Sequence, residues 1–178
     1  MFFKLVTFAA ILLPHVASAK VFLTLEEALK SSFSHCTTKT ESIYFDTNQL
    51  SEIKKLVHQE LSSKTMTRYK AVCDDKKIRY AYTDTHRVRT KLETIFVVVS
   101  DKAEIEKIEV LSFDEPEEYI PKKKWYSKFE NHKLSPELEI KREIPPVTGA
   151  SLTARATTLA AQRILGIHLI LSKTSDKP

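Results

Sequence analysis

Apolar and polar residues alternate along this chain with two periods, one typical of helices and one typical of strands. Leu50, Ile53 and Val57 recur three or four positions apart with charged residues between them, which predicts a helix capped by Asp46 or Thr47. Four stretches in the middle of the chain are rich in β-branched residues or separated by polar turns: Met66–Cys73, Lys77–Tyr82, Thr94–Val99 and Glu104–Phe113. Because strands that follow one another closely pair as neighbours, we expect an antiparallel sheet flanked by helices, an α+β fold.

Helices are also predicted near both ends of the chain. The segment Thr24-Leu25-Glu26-Glu27 matches a capping box, so a helix should begin there. A last helix is expected from about Leu152 to Leu165, and Gly166 can end it. Its apolar stripe consists of Leu152, Ala156, Leu159, Ala160 and Ile164. Residues Ile167–Leu171 then form a short apolar segment, which we expect to pack on the sheet.

The first nineteen residues predict export from the cytoplasm. A short basic start is followed by the apolar run Leu5–Val16, and Ala17-Ser18-Ala19 fits the small-x-small rule of signal peptidase. The apolar run has about 12 residues, whereas a spanning helix needs about 20; an uncleaved N-terminal anchor is the alternative. We therefore expect a signal peptide at residues 1–19, a single domain at residues 20–178, and a periplasmic or other extracytoplasmic location.

Charge and cysteine content narrow the possible functions. The formal net charge is +5 with the signs interleaved, and the densest basic segment, Lys122–Lys124, lies beside Trp125 and Tyr126. A solvated helix face explains this segment better than nucleic-acid binding does. Cys36 and Cys73 could form a disulfide in an oxidising compartment or be two inert thiols. Neither cysteine has the spacing of a zinc, iron–sulfur or covalent haem site.

Glycine usage points to the start of the last helix as a candidate site. The chain has only two glycines, and Gly149 comes directly before that helix, where a positive φ or a close approach would require it. The first backbone amides of a helix have no intrahelical acceptors, and the helix dipole adds positive charge, so anions bind there. The hydroxyls of Thr148, Ser151 and Thr153 surround this point, and Arg155 could add a guanidinium. Plain helix capping is the alternative interpretation, since Ser, Thr and Gly are all found at helix starts.

Three separated segments of this sequence resemble one protein family. The run Thr148-Gly149-Ala150-Ser151-Leu152-Thr153 is similar to the S/T-G-A-T/S-x-T motif of FMN-binding domains. The segment from Tyr82 to Thr94 resembles the family's D-T-H-x-V-R-T-x-x-E-T pattern, and the segment from Ser112 to Trp125 resembles its F-x-E-P-x-x-Y-x-P…W pattern. Such domains occur in subunits of Rnf complexes and of the sodium-pumping NADH:quinone reductase, and as small exported proteins of bacterial respiration. The resemblance covers about residues 80 to 171, and more weakly the N-terminal part.

The resemblance implies a flavoprotein with FMN attached through its phosphate to Ser151. A separate FAD:protein FMN transferase, which uses Mg²⁺, would attach the cofactor, and Thr148, Gly149 and Ala150 would shape the site. Membrane redox proteins would be the electron donor or acceptor. The chain would then be an electron-transfer protein, with redox chemistry supplied by the cofactor.

Other residues are candidates for contacts with the flavin or its phosphate. Thr153 and Arg155 could contact the phosphate, and His86 and Arg89, within a polar stretch, could do the same or lie in a solvated loop. Glu93 opens an apolar strand, so it should bond either the flavin or a neighbouring arginine. Two aromatic residues could stack on the flavin ring or simply belong to the core: Tyr119 and Trp125.

Two other functions remain open from the sequence. Where the family usually has an acidic residue, three positions before the first motif residue, this chain has Pro145. That difference favours a binding module, a domain that has no covalent flavin and uses the same groove to bind a ligand or a partner protein. A small FMN-dependent reductase is the third possibility, although no residue can be assigned to its substrate.

Overall fold

The structure is a computed structural model that describes residues 20–175, so the predicted signal peptide lies outside the described residues. The six strands are β1 (Lys20–Val21), β2 (Cys36–Tyr44), β3 (Thr65–Cys73), β4 (Ile78–Arg87), β5 (Leu92–Ser100) and β6 (Ile105–Phe113). The four α-helices are α1 (Leu25–Ser32), α2 (Thr47–Val57), α3 (Lys123–Tyr126) and α4 (Ser151–Ser175). Short 3₁₀ turns at Glu117–Tyr119 and Ser127–Phe129 flank α3. The predicted α+β class is confirmed.

All six strands form one antiparallel sheet in the order β1-β6-β5-β4-β3-β2. The four predicted strands form its centre as a meander, and β1 and β2 are edges that the sequence did not reveal in full. The sequence predicts a strand only at Ile43–Phe45, around the end of β2, because the polar residues before Ile43 break the apolar alternation. Cys36 lies opposite Cys73 in the β2–β3 register, and the two form a disulfide.

The sheet separates two apolar cores. The larger core lies under α2 and α4 and includes Tyr82, Ile95 and Val97, together with residues of α3. The smaller core lies on the other face under α1 and includes Phe96, Val98 and Ala28. Consecutive residues of β5 therefore serve opposite cores, and both sides of this strand are buried. This explains why its sequence is a continuous apolar run.

Helix α4 is longer than expected and positions the candidate site. It runs through Gly166 to Ser175, so the prediction that Gly166 ends the helix is wrong. Ala160 and Ile164 are buried as expected, but Leu152 and Leu159 of the predicted stripe are 53% and 38% exposed. The apolar stripe that packs against the sheet is rotated away from these two leucines. No helix within residues 20–175 is long and apolar enough to cross a bilayer.

The two predicted helix starts have the capping residues expected. In α1 the Thr24 side chain accepts a hydrogen bond from the amide of Glu27, whose carboxylate in turn accepts one from the Thr24 amide. In α2, Asp46 and Gln49 form the same reciprocal pair. A capping residue of this kind is worth about 1 kcal/mol to a helix.

Candidate functional site

The chain enters α4 through a left-handed residue. Gly149 has a φ of +82°, and a Cβ built on it would meet no atom within 4 Å. Glycine is therefore required here by the backbone angle rather than by lack of space. The amide of Ala150 donates to the carbonyl of Val147 at 3.3 Å, and the Ser151 hydroxyl donates to the same carbonyl at 3.2 Å.

The first three amides of α4 have no acceptor among residues 20–175. The first regular bond at this end runs from the Ala154 amide to the Ala150 carbonyl, at 2.9 Å. The preceding amides, those of Ser151, Leu152 and Thr153, donate to no carbonyl or side chain of the described protein. They point out of the helix end together with the positive end of its dipole, an arrangement that favours an anion.

A cavity of about 220 Å³ opens at this helix start, and we call it the anion cavity. It is lined by Val88, Arg89, Glu115, Tyr119 and the run from Gly149 to Thr153. Six candidates from the sequence thus lie together: Arg89, Tyr119, Gly149, Ala150, Ser151 and Thr153. Thr148 is exposed just before them and is not part of the lining.

Two of the hydroxyls in the cavity differ in availability. The Thr153 side chain is only 1% exposed, and its Oγ1 donates to the carbonyl of Tyr119 at 2.6 Å, so it ties the helix to the 3₁₀ turn at that residue. The Ser151 hydroxyl is exposed and holds a single, longer hydrogen bond. Ser151 is therefore the hydroxyl that a ligand or an enzyme can reach.

The cavity wall carries both signs of charge. Arg89 supplies a guanidinium, and Glu115 supplies a carboxylate. Glu115 Oε1 accepts hydrogen bonds from the amides of Thr90 and Lys91, at 2.6 and 2.8 Å, and these bonds hold the pKa of Glu115 below its usual range. Because the carboxylate already has these donors, its main effect is to fix the loop that carries Arg89.

A second groove of about 350 Å³ continues from the anion cavity along α4, since both are lined by Val88 and Leu152. Its other lining residues are Gln59, His86, Arg87, Arg155, Ala156, Leu159 and Arg163. No carboxylate is among these lining residues, and the exposed leucines of α4 form its apolar floor. Arg155, predicted at the phosphate, therefore lies in this groove rather than in the anion cavity.

His86 and Glu93 belong to a buried charge cluster beside the groove. His86 Nδ1 lies 3.0 Å from Asp84 Oδ1, and His86 Nε2 lies 2.9 Å from Glu93 Oε2. Burial lowers the pKa of His86, but hydrogen bonds to the two carboxylates outweigh it and raise the pKa above its usual value. Both ring nitrogens are thus engaged by the protein, so His86 bridges two strands and presents no free nitrogen to the groove.

The carboxylates of this cluster have further partners from distant parts of the chain. Arg163 donates to both oxygens of Asp84, at 2.8 and 2.7 Å. Burial raises the pKa of Asp84, but the bonds from His86 and Arg163 outweigh it and hold the pKa below its usual range. Glu93 is fully buried and also accepts from Thr157 Oγ1 at 2.9 Å and from the Tyr126 hydroxyl at 3.3 Å.

Local sequence patterns do not predict several residues of this cluster. Arg163 and Thr157 lie on α4, more than sixty positions after their partners, and only tertiary folding brings them together.

Trp125, a candidate for stacking on flavin, is 8% exposed and packs edge-on against Tyr126 and Phe129 in the larger core. Its Nε1 donates to the carbonyl of Pro145 at 2.8 Å, so it anchors the segment that leads into α4.

Comparisons of this chain with protein-family models, with curated proteins and with solved structures find no match.

Proposed function

We propose that this protein carries FMN for electron transfer outside the cytoplasm, with the flavin phosphate at the start of α4. The observation that carries this proposal is the set of free amides of Ser151, Leu152 and Thr153, which face a cavity that also contains Arg89. A phosphate is the ligand that such a helix start binds best. The three sequence segments that resemble FMN-binding domains meet around this point, which supports the same ligand.

The volumes of the anion cavity and the adjoining groove fit a ligand whose phosphate lies in one and whose ring lies in the other. Small-molecule sites usually measure about 300–1,000 Å³, so the anion cavity of about 220 Å³ takes the phosphate and the adjoining part of the sugar-alcohol chain. The groove that continues past Val88 and Leu152 offers an apolar floor for the flavin ring. Arg87 and Arg155 border that groove. Their positive charges would favour a negatively charged flavin ring over a neutral one.

Ser151 is the proposed attachment point. Its exposed hydroxyl would attack the FMN phosphorus of FAD on the transferase, so a Ser Oγ–P bond forms, the bond to the AMP phosphate breaks, AMP leaves, and the hydroxyl proton is released. Bound FMN can accept two electrons and pass them on singly. The residues of this chain bind the phosphate, position the ring and anchor the helix start through Thr153 and Trp125.

Intact mass of the protein co-produced with an FAD:protein FMN transferase tests this proposal. We expect an added mass of about 438 Da, the mass of FMN less water, and a yellow colour that persists after denaturation. Ser151→Ala should lose both, and Ser151→Thr should retain them because threonine offers the same hydroxyl. Ser127→Ala is the matched control, since Ser127 is also an exposed serine whose hydroxyl donates to a backbone carbonyl.

Three results would overturn or redirect the proposal. Covalent flavin that survives in Ser151→Ala would exclude Ser151 as the acceptor. Colourless, unmodified protein in the presence of its native transferase would favour the non-flavinylated binding module that Pro145 suggests. Turnover with NAD(P)H and no other protein would favour a reductase.

A further inference from the structure

Apolar side chains project to solvent at the β1 edge of the sheet. Val21 is 62% exposed and Phe22 is 43% exposed. Backbone bonds hold them in place, because Val21 pairs with Ser112 and the amides of Phe22 and Leu23 both donate to the Leu111 carbonyl, at 2.8 and 3.3 Å. These side chains are therefore fixed on the surface by the sheet, although water is an unfavourable environment for them.

The surface beside them is apolar and concave. A cavity of about 310 Å³ lies between Phe22 and Leu23 on one side and Ile120 and Pro121 on the other. Lys123 and the carboxylate of Glu109 also line this cavity. The lining is mostly apolar, and exposed apolar surface next to a cavity is one feature of interaction sites.

Exposed lysines follow the cavity wall along the chain, whereas the one carboxylate among the lining residues, Glu109, is paired with Lys107 at 3.1 Å. Lys122, Lys123 and Lys124 are all exposed, and no carboxylate of residues 20–175 lies within ion-pair distance of them. Lys20 is paired with Glu117, and its ammonium lies 5.4 Å from the centre of the Phe22 ring. Three exposed lysines without an ion pair thus directly follow Ile120 and Pro121 of the cavity wall.

We propose that this surface, the β1 patch formed by Val21, Phe22, Ile120 and Lys122–Lys124, docks the domain on an anionic lipid bilayer. Apolar side chains that enter the headgroup region contribute by burial, and each nearby lysine adds attraction to anionic lipids. Long lysine side chains can also cover apolar surface while their ammonium groups stay in water.

The position of the chain end supports a membrane partner over another protein. The described residues begin at Lys20, directly before Val21 of the patch, and the apolar run Leu5–Val16 of the sequence ends a few residues before it. Where that run is retained as an N-terminal anchor, the alternative to a cleaved signal peptide, it tethers this edge of the sheet to the bilayer.

Docking would also place the proposed flavin site near the bilayer. Tyr119 lines the anion cavity, and the next residue, Ile120, lines the cavity of the β1 patch. Exchange of electrons with a membrane-bound partner would then occur over a short distance. This consequence rests on the proposed function, whereas lipid binding by the patch does not.

Vesicle flotation of residues 20–178, which contain every described helix and strand, tests the proposal directly. The probes are phosphatidylcholine vesicles with and without phosphatidylglycerol. We expect binding only to the vesicles with phosphatidylglycerol, weakened by salt because exposed charges are screened. Since each lysine contributes about fivefold in affinity, reversing all three as K122E/K123E/K124E should reduce binding more than tenfold, and Phe22→Ser should also weaken it.

Two matched controls keep the charge and apolar changes comparable. The variant K39E/K55E/K64E reverses three exposed lysines elsewhere that also form no ion pair within residues 20–175. Tyr44→Ser removes an exposed aromatic residue from β2, at the opposite edge of the sheet. Both should bind vesicles like the unaltered protein, and circular dichroism checks that all variants are folded.

Several outcomes would overturn the proposal. Absence of binding to the anionic vesicles would do so, as would equal binding to phosphatidylcholine alone. An equal loss in the control lysine variant would mean that net charge, not the patch, drives the attraction. Binding of a single-stranded oligonucleotide by the same lysines, without vesicle binding, would assign the patch to nucleic acid instead. Flavin content plays no part in the assay, so its result is independent of Ser151.

Discussion

Replacing Gly166 by alanine tests how closely α2 and α4 approach each other. A Cβ added at Gly166 would lie 2.3 Å from Val57 Cγ1, which is far inside van der Waals contact, and 3.8 Å from Leu56 Cδ2. Val57 is the last residue of α2 and is 6% exposed, and its branched side chain has one strongly preferred rotamer in a helix. The following residue, His58, caps α2 in the left-handed region at a φ of 55°.

Two opposing effects set the change in the free energy of unfolding caused by Gly166→Ala. Alanine is favoured over glycine inside a helix by about 1 kcal/mol, whereas forcing an extra methyl group into a packed core costs about 1–3 kcal/mol. Because the overlap is with a stiff, buried side chain, we expect the upper part of that range. Gly166→Ala should therefore lower the free energy of unfolding by about 1–2 kcal/mol, which corresponds to roughly 2–8 °C in Tm for a domain of this size.

In a protein that already carries Val57→Ala, Gly166→Ala should change the free energy of unfolding in the opposite direction. Val57→Ala removes Cγ1, so the methyl group at position 166 then fills vacated space and the helix-propensity gain remains. In the Val57→Ala protein, Gly166→Ala should raise the free energy of unfolding by about 1 kcal/mol. Urea unfolding of the four proteins of this cycle, at an unchanged m value, gives the coupling. If Gly166→Ala stabilises the unaltered protein, or has the same effect in both backgrounds, close helix packing is not the reason for this glycine.

Two further predictions concern buried titratable groups. Glu93→Gln removes one of the two carboxylates that bind His86, so the pKa of His86 should fall below its value in the unaltered protein. NMR titration of the His86 ring protons measures this pKa, and an unchanged value would contradict the prediction. His168 is buried against the Tyr82 hydroxyl, and burial lowers its pKa to about 4. The unfolded chain, with a histidine pKa of about 6.5, therefore binds more protons in this interval, and stability should be lost as pH falls from about 6.5 to about 4. His168→Gln should flatten that loss in urea unfolding measured across the interval, and an unchanged slope would assign the loss to other groups.

Local sequence determined the parts of this fold that depend on neighbouring residues. The capping pairs at Thr24 and Asp46 and the four central strands could all be predicted, because each signal lies within about ten residues. The candidate site was also predicted in outline for this reason. Gly149, Ala150 and Ser151 are consecutive, and a helix that starts after a left-handed glycine exposes its first amides whatever it packs against.

Tertiary structure decided which side chains the helices and edges present. A helical period shows that α4 has an apolar stripe but not how the helix is rotated, and packing on the sheet left Leu152 and Leu159 at the surface. Gly166 looks like a helix end in sequence, yet contact with Val57 from another helix explains it better.

The buried charges also depend on contacts that no local pattern contains. His86 and Glu93 are adjacent across a hairpin, but their environment is completed by Arg163 and Thr157 of α4. Burial makes these partners necessary, because a carboxylate without them would be too costly inside the protein. Local residue patterns specify where the chain turns, caps and begins a helix, whereas long-range packing selects which charges are buried together and which apolar residues stay exposed.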